Sequence, residues 1–552
     1  MSEESLHWAD QISREVKSRV EENELLKSVV KKKGYIVYDE KTPSGKIHIG
    51  AGRGWVIHDT IAKSMRDMGL KAKFILSSDD IDPFDKMNNE LPKSYRKYLG
   101  MPFMNIPSPV KGYKSFADYY FTQCTDKFEE FGINAELEST GERYIKGDFN
   151  KAIKIILDNA DRVNAIYERA YGKAPEKLPF NPICEKCGKI GTTLAYEWDK
   201  EREIIKYKCK KDLVKWAEGC SHEGETSPYN GNGKFPWKVE WAAKWPAVGV
   251  VCEFAGKDHF TQGGARTIAV AISGEILSYP PPYPSTASET GKGYEFFTVG
   301  GKKMSTSKGE GIGFAEVTNY APANILRYLL VATRPNAVID FDPIGTNNII
   351  LLYERFDKTE SIYYGKLKLE NKHELQKHKR IYELSHIGNI KKEMPLQIPF
   401  TVASIMIQVT LNENKTIDLL RKTGHIPKNA SEDDINYVKE RIEFAKRWVH
   451  EFAPDEFRFK VNDKVSDEAK KNIDEKQKNS LHLLVNALEK KEWDEKSLYE
   501  EFYNICKEAN LEPKDFFKAA YLVLIGKEKG PRLASFILTI GKEKAARLFR
   551  EV

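Results

Sequence analysis

The chain has 552 residues, 41% apolar, 11% aromatic and 30% charged, an ordinary globular composition with length for two to four domains. No run of about 18 apolar residues appears, which sets aside a membrane-spanning helix; the polar, acidic start Met1–Asp10 does not read as a secretory signal, so the cytoplasm is the expected compartment. A net charge of +6, from 87 basic and 81 acidic residues, is too mild to identify a nucleic-acid partner by itself.

Residues 1–33 read as a charged helical lead-in, with Trp8, Ile12, Val16 and Val20 recurring every four positions. From Gly34 to about residue 335 the text alternates strand and helix. Tyr35–Tyr38 is a strand candidate, and a helix is expected from about Trp55 to Met68, with Gly69 as its stop. Phe74-Ile75-Leu76 is the next strand and runs into Ser77-Ser78-Asp79-Asp80-Ile81-Asp82-Pro83. Strand, helix and strand in this order predict a right-handed parallel crossover, with the three aspartates at one sheet edge. Residues 100–115 read as a long loop, followed by helical text at 116–132 and 150–170. After an interruption at 176–235 the α/β pattern resumes with a strand at 248–254, a helix near 266–278 and a strand at 294–299. From 336 to 552 strands become rare and helical spacing dominates, for example Phe516, Ala520, Val523 and Leu524. This predicts a helical C-terminal region of two subdomains. The dense charge at 460–478 reads as solvated surface.

Four of the seven cysteines lie in the interruption. Cys184-Glu185-Lys186-Cys187-Gly188 is a knuckle in which two thiolates come from one tight turn, and Cys209 and Cys220 supply a second pair. Four protein ligands would close a structural zinc site. The ten-residue step from Cys209 to Cys220 is long, and His222 is an alternative fourth ligand to Cys220. Cys124, Cys252 and Cys506 read as small buried apolar residues.

Two stretches carry chemistry. Lys46-Ile47-His48-Ile49-Gly50 lies between the first strand and its helix, at the carboxyl end where open α/β sheets bind nucleotides. Lys302-Lys303-Met304-Ser305-Thr306-Ser307-Lys308-Gly309 follows far downstream. Together they resemble the HIGH and KMSKS signatures of class I aminoacyl-tRNA synthetases. Further segments are similar to the class I lysyl type found mainly in archaea and some bacteria. They include Thr42-Pro43-Ser44-Gly45, Asp79–Pro83, Trp237-Lys238-Val239-Glu240-Trp241, Glu253–His259, Tyr294-Glu295-Phe296 and, near the end, Gly530-Pro531-Arg532-Leu533, in family order over about residues 35–545.

The resemblance implies a Rossmann-type catalytic domain at 34–335 carrying the zinc insertion, followed by an anticodon-binding helical region. It implies ATP with Mg²⁺, L-lysine and tRNA(Lys) as substrates and partners, and no membrane; a monomer is marginally the favoured state. His48 would donate to the reacting phosphate, Gly50 would leave room for the nucleoside, and Ser44 would join the ATP site. Lys303 would neutralise the β and γ phosphates, with Ser305 and Ser307 as further donors. Thr42, Trp237, His259 and Tyr294 would line the lysine pocket, with Asp80 or Asp79 at the α-ammonium. A cationic substrate wants acceptors at both ends and aromatic walls between them.

The chain departs from the family pattern at three points. Ala51 stands where most class I enzymes carry His or Asn. Thr306 replaces the second lysine of KMSKS, with Lys308 two positions on. Glu40 stands where relatives often carry Gly, and could reach the ε-ammonium or point away. The competing readings are a synthetase for glutamate or arginine, a cofactor-making nucleotidyltransferase, and a tRNA-binding protein without catalysis. An acidic substrate would want an arginine, and residues 237–260 have none.

Overall fold

A computed structural model of the protein describes residues 7–88, 90–261, 263–284, 293–303 and 311–552. Two compact units result. The first takes residues 1–319, 326–341 and 369–390; the second takes 320–325, 342–368 and 391–552.

The first unit is built on a four-stranded parallel sheet. Strand β1 (Tyr35–Lys41) lies between β2 (Ala72–Ser78) and the strand Val250–Cys252, and β3 (Ala135–Ser139) pairs with the far side of β2. Strands buried on both faces should be near-continuously apolar. Val37, Tyr38, Phe74 and Leu76 are fully buried. The register sets Glu40 beside Ser77 and Lys41 beside Ser78, so β1 and β2 end level with each other. Their carboxyl ends therefore deliver Asp39–Thr42 and Asp79–Asp82 to one edge. Ahead of the sheet, helix α1 (Trp8–Glu21) presents the buried stripe Trp8, Ile12, Val16 and Val20, and α2 (Glu24–Lys33) buries Leu26.

The β1–β2 crossover is helix α3 (Ile49–Asp67). It starts well before Trp55, the onset expected from periodicity. Gly50, Gly52 and Gly54 have low helix propensity and hide the first turns from a sequence reading. Packing overrides that propensity. A Cβ on Gly52 would lie 2.1 Å from the Phe314 ring, so glycine is what allows the aromatic side chain to seat on the helix. Helix α3 ends at Met68 and Gly69, the latter in the left-handed region at φ +80°.

Residues 181–234 form a module rooted by pairing of Asn181–Pro182 with Gly233–Lys234. Its body is an antiparallel sheet of Thr193–Asp199, Ile204–Cys209 and Glu223–Thr226.

The second unit is helical. One hydrophobic core joins Leu484, Phe502, Phe516, Val523, Phe536 and Leu548 from successive helices between 475 and 549. Part of the stretch expected to be solvated surface enters this core, through Val461, Val465, Ala469 and Ile473. The polar residues there alternate with apolar ones at helical and turn spacing, and the charges, with Ser466 and Asn472, face water. Trp448 is a packing residue, buried against the Phe400 and Phe457 rings at 5.8 and 5.4 Å.

Candidate active site

The His48 turn is bonded to the chain at Ile312–Phe314, just beyond the second signature stretch. Ile49 donates its N–H to Ile312 O at 2.9 Å, and Phe314 donates to Ile47 O at 2.9 Å, so His48 forms an antiparallel bridge with Gly313. Lys46 forms an ion pair with Glu316. These bonds fasten the start of α3 to the chain immediately after the 304–310 stretch. His48 is the N-cap of α3, with extended backbone, so its ring stands beside the positive end of the helix dipole. Lys303 belongs to the short strand Lys302–Lys303 and pairs with Thr298. Ser305, Thr306, Ser307 and Lys308 lie outside the described residues.

A cavity of about 450 Å³ opens at the sheet edge. His48, Gly50, Thr42, Trp237, His259 and Tyr294 all line it, as does Ala51. Ser44 lines an adjoining cavity of about 540 Å³, which shares Thr42, Asp82 and Trp237 with the first and reaches Trp216 in the cysteine module. Trp237 is 48% exposed, with its ring 5.9 Å from His259 and stacked 6.4 Å from Trp241. Burial disfavours the cation of His259 and lowers its pKa.

Asp80 does not line this cavity. Its carboxylate accepts the Ser139 hydroxyl at 2.5 Å and the Gly141 N–H at 2.8 Å, which secures the start of the helix Thr140–Ile145. Of the two neighbours, Asp79 is the one that lines the cavity. Adjacent carboxylates leaving a strand diverge, and here the helix start takes the second of them.

The least expected feature is a buried charge lattice on the cavity floor. Lys244, only 1% exposed, bonds Glu40 at 2.5 Å and Asp79, with Glu240 at 3.3 Å. Lys234 bonds Glu240 at 3.0 Å and Asp82, and Asp82 accepts the Thr42 hydroxyl at 2.8 Å. Tyr144 donates to Glu240 at 2.8 Å. Four carboxylates thus face two ammonium groups. Burial, reinforced by Asp79 and opposed by Lys244, holds the Glu40 pKa well above the carboxylate range; Asp79 is raised by burial against the pull of Lys244. Burial also works against the Asp82 anion, but Lys234 outweighs it and keeps Asp82 below its usual range. Glu40 therefore points to a lysine of the chain itself. Sequence reading took Trp237 from the helix Trp237–Lys244 and passed over Glu240 and Lys244. Their i, i+4 spacing on that helix was the available signal.

Behind the tryptophans, Glu253 accepts the indole N–H of Trp241 at 2.9 Å and of Trp245 at 2.5 Å. Burial raises its pKa to about 7. The Arg266 guanidinium lies 5.7 Å from Trp241 and 4.8 Å from Phe260 and donates to the carbonyls of Pro282 and Pro284. It does not line the cavity.

In the insertion, the Sγ atoms of Cys184, Cys187, Cys209 and Cys220 all lie within 4.8 Å of one another. Cys184 to Cys220 is 3.6 Å and Cys187 to Cys209 is 3.7 Å. A disulfide would need about 2.05 Å. Tetrahedral thiolates at about 2.3 Å from zinc would stand about 3.8 Å apart, so the donor set and spacing fit that ion. His222 is turned to Glu185, 2.7 Å away, and is outside the thiol cluster. Cys220 arrives because Cys209 and His222 are bonded neighbours, N to O at 2.8 Å.

The family described as "tRNA synthetases class I (K)" matches residues 6–388, and one described as "Anticodon binding domain" matches residues 404–550. A lysine–tRNA ligase of Methanosphaera stadtmanae is 31% identical over 559 residues, covering 99% of this chain and 99% of its own. One of Methanocaldococcus jannaschii is 33% identical over 545 residues, covering 96% of this chain and 97% of its own.

Proposed function

The chain belongs to the class I tRNA synthetases of the K type, and from that premise we propose that it attaches L-lysine to tRNA(Lys) through a lysyl-adenylate. The lysine carboxylate attacks the α-phosphorus of ATP and pyrophosphate leaves. The carboxylate is already ionised, so no general base is needed; positioning and charge stabilisation drive the step. His48, beside the α3 N-terminus, donates to the phosphate where negative charge gathers. Lys303 answers the β and γ phosphates, with Ser305 and Ser307 as further donors. Mg²⁺ bound with ATP supplies additional neutralisation of the triphosphate. The terminal adenosine of tRNA then takes the lysyl group at its 2′-hydroxyl, with AMP leaving. The adjoining cavity, which runs from Thr42 to Trp216 of the cysteine module, is the place for that adenosine. Residues 404–550 read the anticodon, whose unpaired bases are recognised by stacking and edge hydrogen bonds.

Cys184, Cys187, Cys209 and Cys220 would hold a structural Zn²⁺ that fixes the insertion. In the lysine pocket, Trp237, His259, Tyr294 and Thr42 serve as walls and polar contacts, and Asp79 takes the α-ammonium. No described helix is long and apolar enough to cross a membrane, and the cytoplasm is the proposed compartment.

The observation that carries the reading is the seam between Ile47–Ile49 and Ile312–Phe314, which anchors the His48 turn beside a cavity rich in carboxylates. ATP–pyrophosphate exchange, run with each of the twenty amino acids with and without total tRNA, tests it. Exchange is expected with lysine. Exchange that follows another amino acid overturns the substrate, and none even with tRNA present would favour a binding protein.

A further inference from the structure

The chain carries an acid on the substrate cavity that neither the signature motifs nor the buried lattice uses. Asp39 precedes Glu40 on β1, and alternation along a strand sends the two side chains to opposite sides. Glu40 goes to Lys244. Asp39 goes to α3, and its side chain, 13% exposed, lines the cavity together with Tyr294.

Three neighbours hold Asp39 in place. Its Oδ1 accepts the N–H of Glu40 at 2.9 Å. Its Oδ2 lies 3.3 Å from Nδ1 of His58, a fully buried ring. The Nε2 of that ring accepts the Phe254 N–H at 2.9 Å, so Nδ1 bears the proton and also donates to Gly54 O at 2.7 Å. Gly54 completes the seat. A Cβ there would fall 2.8 Å from the Tyr294 hydroxyl and 3.2 Å from Asp39 Oδ2, so only glycine admits both groups against the helix. A fixed imidazole and a bare helix position thus seat one carboxylate, and the Tyr294 hydroxyl faces the same glycine.

Six other acids that line the cavity are engaged. Glu40, Asp79, Asp82 and Glu240 hold Lys244 and Lys234, Glu253 takes two indole N–H groups, and Glu295 pairs with Lys257 at 2.7 Å. Among the described residues, Asp39 is paired with the His58 ring and with no Lys or Arg within 4 Å.

Resting on the lysine reading above, we propose that Asp39 binds the ε-ammonium of the substrate, with His58 as its positioning residue. The α-ammonium belongs at the end of β2, where the lattice has an excess of carboxylates. The Asp39 seat, walled by Tyr294 and Phe254, suits the far end of an apolar stem. Asp39 is then a specificity-determining residue, because it separates lysine from amino acids of the same length without the charge.

The test compares wild type with Asp39→Asn in lysine-dependent ATP–pyrophosphate exchange, with 6-hydroxynorleucine as an uncharged inhibitor of matching length. Losing a partly buried carboxylate partner should raise the KM for lysine about 100-fold. The KM for ATP and the inhibition constant of 6-hydroxynorleucine should stay within about twofold, which also certifies the fold. His58→Ala should raise the KM for lysine while sparing kcat, and His58→Asn, whose amide can replace the Nδ1 donor, should recover part of the loss. Equal weakening of lysine and the uncharged inhibitor, or no weakening of either, overturns the assignment. The wild type soaked with lysine in a crystal gives a readout independent of any variant. The ε-nitrogen should lie about 3 Å from Asp39, and finding it at Glu40 or Asp79 overturns the proposal. Wild-type exchange that does not respond to lysine would instead count against the ligase reading itself.

Discussion

Two polar clusters in the first unit meet the cost of burial in opposite ways. On the floor of the substrate cavity, Lys244 and Lys234 are enclosed by Glu40, Asp79, Glu240 and Asp82, and the Thr42 and Tyr144 hydroxyls complete the pattern. In the insertion, four thiols lie within 4.8 Å of one another. The first cluster is held by the chain's own charges, and the second has the donors of a metal site. The difference separates what each part depends on. The cavity floor should be set by folding of the first unit alone, whereas the insertion should depend on an ion from solution as well.

Removing one cation from the lattice is the strongest way to break this contrast. Lys244→Met leaves Glu40, Asp79 and Glu240 without their shared partner. Stripping one side from a buried pair costs about 3–5 kcal/mol. A unit of this size should then lose roughly 5 °C or more from its thermal transition, and lysine-dependent exchange should disappear. Glu40→Gly in the same chain takes away one of the stranded acids and should recover part of the loss. A thermal transition unchanged in Lys244→Met would show that the lattice contributes nothing net.

The thiol cluster should respond more locally. Metal analysis of the purified protein should find close to one zinc per chain, and Cys184→Ser should abolish it. The module is rooted at Asn181–Pro182 and Gly233–Lys234, with further bonds to Gly100 and Asp158, and its loss of order should expose residues 181–234 to protease. Exchange with lysine should fall by less than about tenfold, since the His48 turn is anchored elsewhere, at Ile312–Phe314. Transfer to tRNA should fall further. Zinc-free protein with an intact, protease-resistant insertion would remove the metal from the account.

What could be read beforehand follows the same division. The strands around Tyr35–Tyr38 and Phe74–Leu76, the His48 turn and the cysteine set are local patterns, and each was visible. The start of α3 was hidden because Gly50, Gly52 and Gly54 are poor helix formers whose helical state comes from contacts such as Phe314 on Gly52. Lys234 and Lys244 were hidden for a related reason. A lysine in a sequence reads as surface, and only the meeting of β1, β2 and the helix Trp237–Lys244 turns these two inward. The long step from Cys209 to Cys220 obscured the fourth thiol until strand pairing between Cys209 and His222 closed it. The choice between Asp79 and Asp80 rests on which of two adjacent side chains meets a helix start, and no sequence pattern encodes that.

Asp80 is accordingly the acid whose removal should matter least to the substrate. Asn at this position can still accept from Gly141 and can donate its amide to Ser139, so the start of the helix Thr140–Ile145 keeps both bonds. The KM for lysine should remain within about twofold. Stability should show a small effect of definite sign. Burial raises the Asp80 pKa to about 6, against the pull of Ser139 and Gly141. The folded state therefore holds this proton more tightly than the unfolded chain does. The stability it contributes is fully present below the ordinary aspartate pKa near 4 and is lost as pH rises through 6. A shift of about two units sets an upper bound near 3 kcal/mol, and water reaching the carboxylate would reduce it. Asp80→Asn should remove that slope from a series of thermal transitions between pH 4 and 7, and should leave the protein slightly more stable than wild type at pH 7. A tenfold rise in the KM for lysine would return Asp80 to the substrate and require the end of β2 to rearrange when lysine binds.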